Sequence, residues 1–81
     1  MTSSIYAPKY KKFCHLLIEQ RQHQGLTQMQ LAHRLGRPQS FVSKYENSER
    51  RLDIIEFLEI AQALDINLFD FINTLQSEEW E

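Results

Sequence analysis

Four polar side chains, Gln39, Ser40, Ser43 and Lys44, stand at i, i+1, i+4 and i+5, a spacing that puts them on one side of a helix. Their chemistry suits the edges of base pairs. A glutamine amide donates and accepts at once, matching adenine N6 and N7; a lysine donates to guanine O6 and N7; a serine hydroxyl serves either. Val42 and Tyr45, with Phe41 in part, interrupt the polar positions, so the same helix has an apolar side to bury. Arg34, Arg37, Arg50 and Arg51 lie close by in sequence and carry the charge that neutralises phosphates. Arg50 and Arg51 read equally well as solvated loop charges or as partners of Glu46 and Glu49. The pattern points to recognition of double-stranded DNA.

Such a helix needs a rigid support, and the residues before it supply one. Residues 27–46, TQMQLAHRLGRPQSFVSKYE, read as two short helices around a tight corner. Thr27 and Gln30 form a capping box that fixes the start of the first. Leu31, Ala32 and Leu35 face inward, and the small Ala32 lets two steeply crossing helices approach. Gly36 offers the positive φ of the corner, and Pro38 presets the start of the second helix. Two helices joined by a short glycine-containing turn are a helix-turn-helix, whose second helix enters the major groove. The N-terminus of its first helix presents unpaired N–H groups to a phosphate.

The flanking segments are helical as well. From Lys9 to Gln24 the apolar positions Tyr10, Phe13, Cys14 and Leu17, flanked by Leu16 and Ile18, keep a 3–4 spacing, and Gly25 ends the helix. After the polar loop from Asn47 to Arg51, Asp53 and Glu56 open a fourth helix. Its predicted stripe is Ile54, Phe57, Leu58, Ala61 and Leu64, with Ile55 and Ile60 alongside. Asn67 caps a fifth helix with Asp70 in its first turn, and Leu68, Phe71, Ile72 and Leu75 give its inner face. The expected architecture is all-α, a compact five-helix bundle containing a helix-turn-helix. Residues 1–8 form an N-terminal arm, residues 9–75 the domain, and residues 76–81 an acidic tail in which Trp80 fits no stripe.

With 81 residues there is room for one core only. No apolar run reaches the ~18 residues of a membrane span, and the N-terminus lacks the apolar centre of a signal peptide. The single cysteine, Cys14, has no internal disulfide partner and reads as a buried, inert thiol. Together these features predict a cytoplasmic protein. His15, His23 and His33 stand eight and ten residues apart, without ligand spacing, and no phosphate loop or nucleophile–base pair appears. Neither an enzyme nor a metal or cofactor site is expected. The net charge of −2 argues against a nucleic-acid partner until it is divided. Residues 1–51 hold all nine Lys and Arg against three acids, +6; residues 52–81 hold eight acids and no Lys or Arg, −8. One half suits a polyanion, the other water or a protein.

The spaced residues GLTQMQLAHRLGRPQSFVSKYE, followed by RRL at 50–52 and LEIAQAL at 58–64, resemble the Cro/phage-repressor (Xre-type) helix-turn-helix domains. The resemblance spans residues 9–75. It implies gene regulation by a two-fold dimer on a palindromic operator, as a repressor in the first instance. Carried across by position, Gln28 would touch a phosphate, while Gln39, Ser40 and Lys44 match base-reading positions, with Ser43 beside them. Ser48 and Asp65 depart from the family by standing where glycine is common, and Pro38 replaces the usual Ser or Thr cap. Helix 5 and the tail carry more apolar residues than one face needs and offer a homodimer interface. The rival reading is a protein-interaction module of the same fold, such as an antitoxin whose acidic C-terminal half binds a protein partner.

Overall fold

In the computed structural model, which describes residues 7–77, the chain forms five helices. They are α1 (Pro8–His23), α2 (Gln28–Leu35), α3 (Gln39–Glu46), α4 (Ile54–Ala63) and α5 (Leu68–Gln76). α2 packs on α3 and α4, while α1 lies against α3 and α5. Local chemistry sets the starts. The Thr27 hydroxyl accepts from Gln30 N–H and the Gln30 side chain accepts from Thr27 N–H; Asp53 and Glu56 repeat the arrangement at α4. The Asn67 side chain accepts from Asp70 N–H at α5. Pro38 caps α3 through its backbone alone, with no side-chain bond.

The stops share one device. After α1 to α4, an N–H bonds back five residues, from Leu26 to Arg21, Arg37 to Ala32, Glu49 to Lys44 and Ile66 to Ala61. Each closure needs one residue with positive φ. Gly25 and Gly36 provide it at 73° and 67°, while Ser48 and Asp65 adopt 59° and 55° despite carrying side chains. After α3 the turn falls to Ser48, while Asn47 before it stays at φ −87°.

Leu17, Leu31, Val42, Tyr45, Ile60 and Leu64 are wholly buried, and Phe41, Phe57 and Phe71 nearly so. Ala32 is buried on α2. Cys14 is buried, and burial pushes its thiol above the usual range. The stripes of α4 and α5 need correction. On α4 the core takes Phe57, Ile60, Ala61 and Leu64, while Ile54, Ile55 and Leu58 are 64%, 60% and 41% exposed. On α5 it takes Phe71, with Leu68 and Ile72 exposed and Leu75 only partly buried. Both helices carry an apolar arc wider than the core covers; on α4 the core takes the flank with Ile60 instead of the one with Ile54 and Leu58, while on α5 it takes only part of the expected face.

Three polar side chains of α1 tie distant elements to it. Lys12, buried, donates to the Ser77 carbonyl at the C-terminal end of α5, a helix end with no basic residue of its own. Tyr10 clamps the loop before α4: its hydroxyl donates to the Arg50 carbonyl and accepts from Leu52 N–H, both at 3.1 Å. Burial above all pushes the Tyr10 phenol up to about 12. Arg21 bonds Glu46 and is described below.

Tyr45 is the contrast to Tyr10, a buried tyrosine whose hydroxyl has no hydrogen-bond partner among the described residues. Tyr10→Phe should therefore cost roughly 1–3 kcal/mol, because it strands a backbone N–H and a carbonyl. Tyr45→Phe should be neutral or stabilising, because it removes only a desolvated hydroxyl. Urea denaturation of the two variants checks the ranking, and equal losses would contradict it.

Candidate nucleic-acid interface

α3 divides as its spacing predicts. Phe41, Val42, Tyr45 and Glu46 are buried; Gln39, Ser40 and Lys44 are exposed and Ser43 half-buried. Ser43 donates its hydroxyl to the Ser40 carbonyl at 3.4 Å, leaving its lone pairs outward. Gln39 reaches across to the start of α2, its Nε2 3.4 Å from Gln28 Oε1. The structure thus brings Gln28 and Gln39 together, 11 positions apart in sequence.

Beneath them lies a buried ion pair that the local pattern did not single out. Arg21 of α1 meets Glu46 through Nε at 2.7 Å and Nη2 at 3.1 Å, with side chains only 12% and 3% exposed. A third Arg21 bond goes to the Leu26 carbonyl, and Gln28 Nε2 donates to Glu46 Oε1 at 2.9 Å. The sequence did hold a signal. Arg21 follows Leu17 by four residues and Glu46 follows Val42 by four, so each charge falls at a core position. A charge there demands a buried partner.

The basic residues are less independent than their sequence suggests. Arg34 donates to the Ala63 carbonyl at the end of α4. Arg37 pairs with Glu59 at 3.0 Å, and Arg50 grips both oxygens of Glu56 at 3.0 and 2.9 Å. Neither Glu46 nor Glu49 is the partner of Arg50. Arg37 and Arg50 also lie over the Phe41 ring, at 4.5 and 4.9 Å from its centre, and Arg51 lies over Tyr10 at 4.5 Å. The acidic α4 therefore holds two cations in place beside α3. The Arg37–Glu59 pair is exposed and costs little to exchange for a phosphate; the Arg50–Glu56 fork is geometrically committed.

Arg50 first, then the Asp53 N–H, hold the Glu56 carboxyl down at about 2, against an ordinary 4.5. A depressed carboxylate contributes stability that is complete above the unfolded value and is lost as pH falls through the folded one. Glu56→Gln should accordingly lower the Tm most above about pH 5. The gap from wild type should close as pH drops from about 4.5 toward 2. Thermal melts across pH 2–7 test this; a gap that does not change with pH would refute a charge-dependent role.

A helix-turn-helix family model matches residues 17–71, most of the chain. The chain belongs to the Xre-type helix-turn-helix family. The family is one of DNA-binding transcription regulators. An XRE-family like protein from Pseudomonas syringae pv. tomato is 43% identical, with a TM-score of 0.83 over 94% of this chain and 93% of its own. The restriction-modification controller protein C.AhdI from Aeromonas hydrophila is 35% identical, with a TM-score of 0.68 over 74% of this chain and 87% of its own. A variant of the controller protein C.Esp1396I is 25% identical, with a TM-score of 0.78 over 85% and 87%. No curated protein matches the chain. Within this Xre-type protein, α2 and α3 are the helix-turn-helix, and no described helix is long and apolar enough to cross a membrane.

Proposed function

We propose that this Xre-type protein represses transcription by binding a palindromic duplex operator as a symmetric dimer. The division of α3 carries the reading: its inward side anchors the helix, and its outward side offers only polar groups. Gln39, Ser40, Ser43 and Lys44 read base edges, with Gln39 suited to adenine and Lys44 to guanine. Gln28, at the first position of α2, contacts a phosphate, as do Arg34, Arg37, Arg50 and Arg51 around the motif. The likeness to restriction-modification controller proteins supports a regulatory role.

A second copy of the chain would cover the surplus apolar surface. Among the described residues, six of the seven large exposed apolar side chains, Ile54, Ile55, Leu58, Leu68, Phe69 and Ile72, lie on α4 and α5. Phe69 is 85% exposed, and an open depression of about 230 Å³ beside Ile54, Phe57 and Ile72 could receive an aromatic ring. The tail with Trp80 lies outside the described residues. Two-fold pairing would set the recognition helices one helical turn, about 34 Å, apart. The same exposed face supports the rival, antitoxin-like reading, in which a different protein fills it.

Selection from random duplexes followed by gel shifts tests the function. A two-fold symmetric sequence should emerge, bound well above competitor. Gln39→Ala should relax preference at one position of each half-site, whereas Arg51→Ala should weaken all sequences alike. Uniform losses from both would sink the division of roles. Sedimentation should give a dimer that Phe69→Glu dissociates. A monomer that binds no duplex but holds a protein partner would favour the rival reading.

A further inference from the structure

Resting on the reading of Gln39 as a base reader, we infer that Glu46, which cannot reach the groove, fixes which way the Gln39 amide faces. An ionised carboxylate only accepts hydrogen bonds. Both oxygens of Glu46 accept from the Arg21 guanidinium, at 2.7 and 3.1 Å. Gln28 must therefore turn its NH₂ toward Glu46, as it does at 2.9 Å. Its oxygen is then left facing α3, where only a donor is welcome. Gln39 answers with its own NH₂, at 3.4 Å.

The polarity of the buried carboxylate is thereby passed through two amides to the protein surface. Gln39 keeps one N–H and its carbonyl oxygen for the groove. That combination fits adenine, which offers the N7 acceptor beside the N6 donor, and fails on guanine, which presents acceptors at both N7 and O6. A free glutamine can swing its amide by half a turn and tolerate either arrangement. Glu46, with Arg21 behind it, is thus a positioning residue for specificity, and Gln28 is the relay.

The test compares wild type, Glu46→Gln and Gln28→Met on operator duplexes carrying adenine or guanine at the base released by Gln39→Ala. Glu46→Gln keeps the size of the side chain and an acceptor for Arg21, but its amide can present either pole to Gln28. Wild type should prefer adenine roughly ten- to a hundredfold. Glu46→Gln should reduce that to a few-fold, while binding to non-specific duplex and its salt slope stay unchanged. Gln28→Met, which leaves the ion pair intact, should reduce it likewise. Equal losses on both bases, as a purely structural role would give, overturn the inference. So does a released base other than adenine, or an adenine preference that survives in Glu46→Gln. Should Glu46→Gln fail to fold, an undiminished preference in Gln28→Met overturns it alone. If wild type selects no duplex at all, the DNA-reading assignment fails first, and the inference fails with it.

Discussion

Replacing Arg21 by Ala should cost about 3–5 kcal/mol, the usual loss when one member of a buried ion pair is removed. Glu46 is the reason. Its side chain is 3% exposed, and without Arg21 only the Gln28 amide remains to compensate a desolvated negative charge. The Leu26 carbonyl, which accepts from Arg21 at 2.7 Å, would lose its partner in the same step. A domain of this size has a total stability of roughly 4–12 kcal/mol, so this one change could consume most of it. Urea denaturation at pH 7 measures the loss. Removing both charges, with Leu at 21 and at 46, should recover much of it, because the cost lies in the orphaned charge more than in the missing attraction. A single variant within 1 kcal/mol of wild type would show that water reaches Glu46 freely.

The second large effect is on operator affinity as salt is raised. Binding that releases counterions falls with a slope of about −0.9 per phosphate neutralised. Suppose Arg37 and Arg50 remain with Glu59 and Glu56, so that Arg34 and Arg51 of each protomer turn to phosphates. The slope for a dimer is then about −4, and affinity should fall about 10²-fold between 50 and 200 mM salt. Suppose instead that all four arginines turn to phosphates. The slope approaches about −7 and the loss about 10⁴-fold. The titration therefore counts how many cations α4 surrenders. Glu59→Gln should steepen the slope, because it releases Arg37 from an exposed pair. A slope flatter than about −2 would mean that affinity does not come from this basic face.

The parts of the fold that could be read from sequence are those whose chemistry is local. Thr27 with Gln30, and Asp53 with Glu56, announce helix starts within four residues. Gly36 and Pro38 mark the corner for the same reason. The outward set Gln39, Ser40, Ser43 and Lys44 follows from a 3.6-residue repeat. What stayed hidden is pairing across the chain. Arg21 and Glu46 are 25 positions apart, Tyr10 and Arg50 are 40, and Lys12 and Ser77 are 65. No window along the sequence contains both partners. The misplaced residues of α4 and α5 have another cause. Ile54, Leu58 and Ile60 are equally apolar, so hydrophobicity alone cannot say which flank the neighbouring helices will cover.

The Tyr10 clamp bears on whether the helix-turn-helix could be moved. Its hydroxyl holds the Arg50 carbonyl and the Leu52 N–H against the first helix, and Arg51 rests on its ring. Residues 27–46 transplanted to another scaffold would keep the side chains that face bases. They would leave behind the phenol that sets where the neighbouring arginines stand, and the Arg21 that pairs with Glu46. The motif is therefore not a portable cassette. Its register on a duplex is written partly in a helix that never approaches the groove.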